Sequence, residues 1–250
     1  SMARLLDRAE VDVLLVGDSL GMVVLGYDST VPVTMEEMLH HAAAVSRGTE
    51  QALVIGDMPF GSYQITVEQA VANGMRFLKE AGCDGVKLEG GAEVCAAVQD
   101  LVRAGVPVMG HIGLTPQTAG QLGGFKVQGK GRAAAQKLLA DAQALEKAGA
   151  FALVIEAVPA SLAEIITRKV AIPTIGIGAG PGCDGQVLVT NDMIGLFDKF
   201  TPKFVKQYCC LAATVQEAVQ NFIREVEEGD FPAAEHSFVS TEDFSDLLDD

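Results

Sequence analysis

Short apolar runs alternate with longer segments of helical periodicity along most of the chain. Seven runs rich in Val, Ile and Leu lie at residues 11–16, 52–56, 85–88, 106–110, 151–155, 172–177 and 186–190. Helix-like patterns lie mostly between them, at residues 35–47, 66–81, 92–104, 131–148 and 160–169, with a last one at 214–228. This alternation predicts a parallel sheet covered by helices on both faces. Gly229 is the expected end of the last helix.

The number of strands bears on how the sheet closes. A chain of 250 residues suits a single (β/α)8 TIM barrel, an α/β fold, but seven strands are one short of that barrel. Apolar residues at positions 2, 5, 6 and 9 have helical spacing, so the sequence begins inside a helix, and we expect a first strand upstream of Ser1. An open doubly wound sheet is the alternative. We expect one barrel domain over residues 1–238 and an acidic, solvated tail over 239–250.

Polar or charged side chains follow six of the seven predicted strands. In chain order they are Asp18 and Ser19, Asp57, Lys87 and Glu89, His111, Glu156, and Asn191 with Asp192. The carboxyl ends of barrel strands surround one mouth, where the active site of such a fold lies. We therefore expect these groups to meet at one site.

Three of these carboxylates, those of Asp18, Asp57 and Glu89, have the chemistry of a magnesium site. Mg²⁺ prefers oxygen ligands and keeps several waters, so it takes few protein ligands. Each residue alone has a structural interpretation, because an Asp after a strand often forms a turn or caps a helix. Carboxylates that converge without cations repel one another, which favours a cation at their meeting point.

Three further residues are candidates for substrate binding or proton transfer. Lys87 either anchors a substrate carboxylate or keto oxygen, or forms an ion pair with Glu89 or another carboxylate. His111 precedes a loop with turn signals and is interpreted equally well as a structural or a functional group. Glu156 ends an apolar run, where loss of hydration would raise its pKa and suit it to act as a general base. The alternative for Glu156 is a buried structural ion pair.

Two motifs suggest other functions. Gly17-Asp18-Ser19-Leu20 matches the nucleophile motif of GDSL-type serine hydrolases, but the late D-x-x-H motif that those enzymes need is missing from the sequence. The segment Gly176–Gly180 is rich in glycine, yet it lacks the G-x-G-x-x-G spacing of a dinucleotide site. We expect close backbone approach or an anion site there instead.

The net charge of −15 argues against two classes of partner, because such a chain repels nucleic acid and anionic lipid surfaces. No apolar run approaches the roughly 20 residues of a membrane helix. The five cysteines form no C-x-x-C pair and no metal-type spacing with histidine, so we expect reduced thiols and a cytoplasmic protein.

Several longer motifs resemble the ketopantoate hydroxymethyltransferase family and follow the family order along nearly the whole chain. They occupy residues 16–22, 28–34, 56–60, 86–91, 110–117, 123–129, 176–180 with 184–186, and 235–238. Together these motifs are highly specific. The sequence departs from the family pattern in lacking the first strand and in extending beyond Phe238.

The resemblance implies a (β/α)8 barrel of the phosphoenolpyruvate mutase–isocitrate lyase type. It implies a Mg²⁺ site at Asp18, Asp57 and Glu89, and substrate contacts at Asp18, Ser19, Asp57 and Lys87, to which we add His111. Glu156 would accept the proton. The implied reaction transfers a hydroxymethyl group from 5,10-methylenetetrahydrofolate to 3-methyl-2-oxobutanoate and gives 2-dehydropantoate. The resemblance also implies a homo-oligomer, often a decamer. A serine hydrolase and a non-catalytic barrel homologue remain the alternatives.

Overall fold

Seven parallel strands form one sheet, and their order in the sheet is their order along the chain. They are β1 (Val13–Val16), β2 (Leu53–Asp57), β3 (Gly85–Glu89), β4 (Val108–Gly113), β5 (Ala152–Glu156), β6 (Thr174–Ile177) and β7 (Gly185–Gln186). A doubly wound sheet reverses its strand order at a switch point, whereas this order runs in one direction, as in a barrel. The predicted parallel α/β sheet is thereby confirmed.

The computed structural model describes residues 1–121, 123–242 and 244. Both outer strands of its sheet are edge strands. Among these residues, β1 pairs only with β2 and β7 only with β6. The eighth strand that we expect upstream of Ser1 stays a prediction.

The chain divides into two units. One comprises Ser1–Val189 and Lys203–Val205, and the other comprises Thr190–Pro202 and Lys206–Asp250. The first unit holds all seven strands and α1 (Met2–Arg8), α2 (Leu20–Val23), α3 (Met35–Ser46), α4 (Val67–Ala81), α5 (Cys95–Arg103), α6 (Arg132–Ala148) and α7 (Ala160–Thr167). The second holds α8 (Thr190–Met193) and α9 (Leu211–Glu228). The predicted boundary between a barrel domain and an acidic tail at residue 238 stays a prediction.

Local sequence signals explain where several helices begin and end. Thr34 caps α3 by accepting a hydrogen bond from Glu37 N, and the Glu37 carboxylate accepts one from Thr34 N in return. Helices α4, α6 and α9 each end at a glycine in the left-handed conformation, and for α9 that residue is Gly229, as predicted. None of the helices in the described part of the chain is both long and apolar enough to cross a bilayer.

The sheet is buried on both faces, which accounts for the nearly continuous apolar runs. One face packs against the helices through residues such as Val54, Leu88 and Leu153. On the other face Ile55, Met109 and Val154 form a separate cluster. Because side chains alternate along a strand, the residues two positions after these three also face the second cluster. These residues are Asp57, His111 and Glu156, so the polar groups follow an apolar layer at the carboxyl ends of the strands.

The sequence prediction of a seventh strand is confirmed, but its predicted bounds were wrong. The apolar run at 186–190 predicts a strand that ends in Asn191 and Asp192, but β7 ends at Gln186 and both polar residues belong to α8. After β7 the ladder continues with a bond from Val187 N to Gly176 O over 3.0 Å. Asp192 therefore does not follow a strand.

The glycine-rich segment after β6 serves close packing. A side chain on Gly180 would lie 2.4 Å from Ala160 Cβ, and one on Gly178 would lie 2.8 Å from the ring of Phe204. Both glycines also have positive φ angles. Close backbone approach, one of the two interpretations of this segment, is confirmed.

Candidate active site

Strand register brings the predicted site residues together at one edge of the sheet. Asp57 is the register partner of Lys87 across β2 and β3, and Glu89 is the partner of His111 across β3 and β4. Glu156 is the partner of Gly113, two residues after His111, and so shares the His111 face. The sequence-based expectation that the polar groups meet is therefore confirmed for these five residues, but not for Asn191 and Asp192, which belong to α8.

Lys87 is the cation at the centre of this group. Its Nζ lies 2.7 Å from Asp57 Oδ1 and 3.5 Å from Glu89 Oε1, and its side chain is only 4% exposed. Burial lowers the pKa of Lys87, but the charges of Asp57, Glu89 and Asp18 raise it by more, so the ammonium group stays charged. The ion pairs considered for Lys87 are thus present, and they leave it the third hydrogen of its ammonium group.

Asp18 stands beside Asp57 at the end of β1. The Asp18 backbone N–H donates to Asp57 Oδ2 over 3.1 Å. Burial, followed by the nearby charge of Asp57, raises the pKa of Asp18 well above its usual range. Two buried carboxylates thus lie close together with Lys87 as their neighbouring cation. One ammonium group does not neutralise both carboxylates, so a further cation would be stabilised here.

His111 lies between two carboxylates. Its Nδ1 is 3.5 Å from Glu89 Oε1 and its Nε2 is 3.2 Å from Glu156 Oε2, and both contacts are ion pairs that do not meet hydrogen-bond geometry. Burial and the charge of Lys87 lower the pKa of His111, but Glu156 and Glu89 raise it by more, to about 9. The imidazole is therefore a cation at neutral pH that links the two carboxylates.

The backbone of Glu156 is held by the end of the neighbouring strand β4 and is followed by a residue in an unusual conformation. Leu114 N donates to Glu156 O over 2.9 Å, and a side chain on Gly113 would lie 2.2 Å from the same oxygen. The next residue, Ala157, has a φ of 47°, a conformation that costs a non-glycine residue roughly 1–2 kcal/mol. The Glu156 side chain remains 15% exposed, so it loses less hydration than its apolar run suggests.

Two further residues of this site, Gln117 and Tyr63, were missed by the sequence analysis. The Gln117 side-chain Nε2 donates to Asp18 Oδ2 over 2.9 Å, and its backbone N–H donates to Glu89 Oε2 over 3.1 Å. The Tyr63 hydroxyl lies 2.7 Å from Gln117 Oε1. Tyr63 lies in a loop and Gln117 in the short 3-10 turn Pro116–Thr118, and the only signal for Gln117 is its position within the motif that follows β4.

Ser19 has surroundings unlike those of a hydrolase nucleophile. It starts α2, and its side chain makes no capping hydrogen bond there. His111, the histidine of this site, directs its two ring nitrogens at Glu89 and Glu156. A serine nucleophile needs a base within hydrogen-bond reach, so the arrangement does not favour the hydrolase alternative.

The chemistry of the site suits a hard divalent cation. Four carboxylates, of Asp18, Asp57, Glu89 and Glu156, face two cationic groups, on Lys87 and His111. Their oxygens are the ligand type that Mg²⁺ prefers, and one or two carboxylates suffice for that ion. Within the described ranges, no three His, Cys, Asp or Glu side chains are already grouped as a metal-binding set.

Comparisons with known proteins identify the family of this chain. The model of the ketopantoate hydroxymethyltransferase family matches residues 1–234. The chain is 64% identical to a 3-methyl-2-oxobutanoate hydroxymethyltransferase of Desulfotalea psychrophila, over 99% of this chain and 89% of the relative. It is 60% identical to the enzyme of the same name from Syntrophus aciditrophicus, over 96% and 88%.

A solved structure supports the fold alone. A protein of Burkholderia cenocepacia described as a lyase/mutase superposes with a TM-score of 0.55 over 92% of this chain and 80% of its own, at 18% identity. The fold is thus shared with a distant protein, whereas the two relatives are 64% and 60% identical over nearly the whole chain. By the extent of that match, the chain belongs to the ketopantoate hydroxymethyltransferase family.

Proposed function

We propose that the protein transfers a hydroxymethyl group from 5,10-methylenetetrahydrofolate to 3-methyl-2-oxobutanoate and so forms 2-dehydropantoate. The observation that carries the proposal is the Lys87–Glu89–His111–Glu156 chain of charged groups at the strand ends of a member of this family. In this reaction a C3–H bond of the 2-oxo acid breaks and a C–C bond forms to the methylene carbon of the folate. Water supplies the hydroxyl group, and both C–N bonds to the methylene carbon break, which releases tetrahydrofolate.

Asp18 and Asp57 are the first choice as ligands of Mg²⁺, with Glu89 as the third. The hydrogen bonds of these two residues use Asp18 Oδ2 and both carboxylate oxygens of Asp57. Asp18 Oδ1 and the second lone pairs of the three bonded oxygens can therefore coordinate an ion. Glu89 is already engaged by Lys87, His111 and the Gln117 backbone, so it fits a ligand that acts through a water. When bound, the ion would act as a Lewis acid and stabilise negative charge on the keto oxygen of the substrate.

Lys87 and Ser19 bind the substrate in this proposal. The ammonium group of Lys87 is charged and buried, and it can direct its remaining hydrogen at an anionic oxygen. The Ser19 hydroxyl is not used as a helix cap and can donate to the substrate carboxylate. Asp18 and Asp57 contribute to the substrate site by holding the ion, and Asp57 also orients Lys87.

Glu156 is the proposed acceptor of the C3 proton. Its carboxylate is partly exposed at the edge of the polar group, whereas Glu89 and Asp57 lie deeper, at 2% side-chain exposure. His111 lies 3.2 Å from Glu156 Oε2 and holds that carboxylate in place through its charge. In this role His111 contributes to the substrate site by orienting the base.

The cellular setting and the assembly complete the proposal. The five cysteines are all free, which suits the reducing cytoplasm. We propose a homo-oligomer, with the decamer of the family resemblance as its form. The partners are then small molecules and further copies of this chain.

Product formation tests the proposed function. The protein is incubated with 3-methyl-2-oxobutanoate, 5,10-methylenetetrahydrofolate and Mg²⁺, and 2-dehydropantoate is measured by nuclear magnetic resonance. We expect product in proportion to protein, loss of product in excess chelator and recovery when Mg²⁺ is added back. Full activity in excess chelator would contradict the metal-assisted mechanism, and absence of product under all these conditions would contradict the proposed reaction.

A further inference from the structure

Gln117 is the most completely bonded polar side chain around the site. It lies in the turn Pro116–Thr118 after β4 and is 4% exposed. Its Nε2 donates to Asp18 Oδ2 and to Met58 O, each over 2.9 Å. Its Oε1 accepts from the Gln64 side chain over 3.1 Å and from the Tyr63 hydroxyl over 2.7 Å. A carboxamide has two donor hydrogens and two acceptor lone pairs, and all four are used.

This arrangement fixes the orientation of the carboxamide. If the nitrogen and oxygen exchanged places, the nitrogen would face the donor of Gln64 and the oxygen would face the Asp18 carboxylate. The Tyr63 hydroxyl has one proton, and the 2.7 Å contact to Gln117 is shorter than the 3.1 Å contact to Glu89 O. Tyr63 therefore donates to Gln117, while its oxygen accepts from Glu89 N over 3.1 Å.

Gln117 also reaches two carboxylates that come from different strands. Its side chain holds Asp18, which follows β1, and its backbone N–H holds Glu89 Oε2 at the end of β3. The backbone bond goes to a carboxylate that is paired with Lys87, and a bond to a charged acceptor is stronger than one between neutral groups. A single turn thus sets the orientation of the two carboxylates, with Tyr63 behind it.

We infer that Gln117 is a positioning residue that holds Asp18 and Glu89 in the geometry in which they take up a divalent cation, and that Tyr63 holds Gln117. The inference rests on the proposed function, because that proposal makes Asp18 and Glu89 metal ligands. The partners that orient metal ligands typically change metal affinity or activity about 10- to 100-fold when they are removed.

Mn²⁺ binding without substrate tests the inference. Free Mn²⁺ gives an electron paramagnetic resonance signal that is lost on binding, so a titration yields the dissociation constant. Gln117→Met keeps an unbranched side chain and the backbone bond to Glu89 but loses every side-chain hydrogen bond, and we expect its dissociation constant to rise about 10- to 100-fold. Tyr63→Phe removes the bond that the hydroxyl donates to the carboxamide and the bond that it accepts from Glu89 N, and we expect a rise of about 2- to 10-fold. Gln136→Met, at an exposed position of α6, is the matched control and should bind as the wild type does.

The possible results separate the inference from the proposed function. A wild type that binds Mn²⁺ together with a Gln117→Met variant of unchanged or higher affinity would overturn the positioning role alone. A lower melting temperature without a change in Mn²⁺ affinity would assign Gln117 a purely structural role and would also overturn it. A wild type that binds no Mn²⁺ would contradict both the metal site and its positioning. If Gln117→Met does not fold, Tyr63→Phe decides, and unchanged affinity in that variant counts against the inference.

Discussion

Replacement of Lys87 by methionine should destabilise the folded protein strongly. Lys87 is buried and is shared between Asp57 at 2.7 Å and Glu89 at 3.5 Å. Methionine has a similar unbranched chain without the charge, so both carboxylates would lose their common cation where water does not replace it. Removal of one partner from a buried ion pair costs about 3–5 kcal/mol. The range applies here because the side chains of both carboxylates are only 2% exposed.

The Lys137–Asp141 pair provides a matched control for burial. Lys137 Nζ lies 2.6 Å from Asp141 Oδ2, nearly the distance of the Lys87 pair, but the Lys137 side chain is 67% exposed, while the Asp141 carboxylate is 6% exposed and also accepts from Ala92 N. Exposed pairs contribute roughly 0.2–1 kcal/mol. The same substitution, Lys137→Met, should therefore cost about 1 kcal/mol or less, and the difference between the two variants measures the effect of burial.

Urea unfolding in the presence of a chelator measures both free energies. For a folded unit of this size each kcal/mol corresponds to about 2–4 °C in melting temperature, so Lys87→Met should melt about 6–20 °C below the wild type. Addition of Asp57→Asn should recover part of the loss, because one stranded charge is removed. A loss in Lys87→Met no larger than that in Lys137→Met would refute the reasoning.

Three further predictions concern the other site residues. The raised pKa of His111 adds stability that is fully present below pH 6.5 and is lost as the pH rises through about 9. In chelator, the free energy of unfolding of the wild type should therefore fall by about 3 kcal/mol more than that of His111→Gln over this interval. The same pH dependence in both proteins would contradict this. Glu156→Gln should slow C3 proton exchange of 3-methyl-2-oxobutanoate by about 10²–10⁴, whereas Glu164→Gln, at an exposed position of α7, should not; near-normal exchange in Glu156→Gln would move the base elsewhere. Ser19→Ala should lower kcat/KM by about 10- to 100-fold, mostly through KM, and labelling of Ser19 by a fluorophosphonate would instead indicate a hydrolase.

Local sequence patterns were sufficient for most of the sheet and for the main residues of the site. Each strand needs an apolar run, and the strand ends then direct Asp57, His111 and Glu156 to one edge because alternation and parallel register leave no other arrangement. The pair Lys87 and Glu89 followed from the same period of two. The α9 end at Gly229 followed from the backbone freedom of glycine.

Features that depend on distant contacts were not accessible in this way. Gln117 is functional in this account because the chain brings it to Asp18, 99 residues away, and no local pattern distinguishes it from a glutamine in any turn. The run at 186–190 has the composition of a strand, but pairing with β6 ends after two residues, so Asp192 falls into a helix. The limited burial of Glu156 likewise depends on what surrounds the strand end.

Proton exchange without the folate tests the central claim most directly, because it isolates the step assigned to Glu156 and the metal site. The protein is incubated with 3-methyl-2-oxobutanoate and Mg²⁺ in heavy water, and the C3 proton signal is followed by nuclear magnetic resonance. The account predicts loss of that signal at a rate proportional to protein, which stops in excess chelator. Retention of the C3 proton at the rate seen without protein would contradict it.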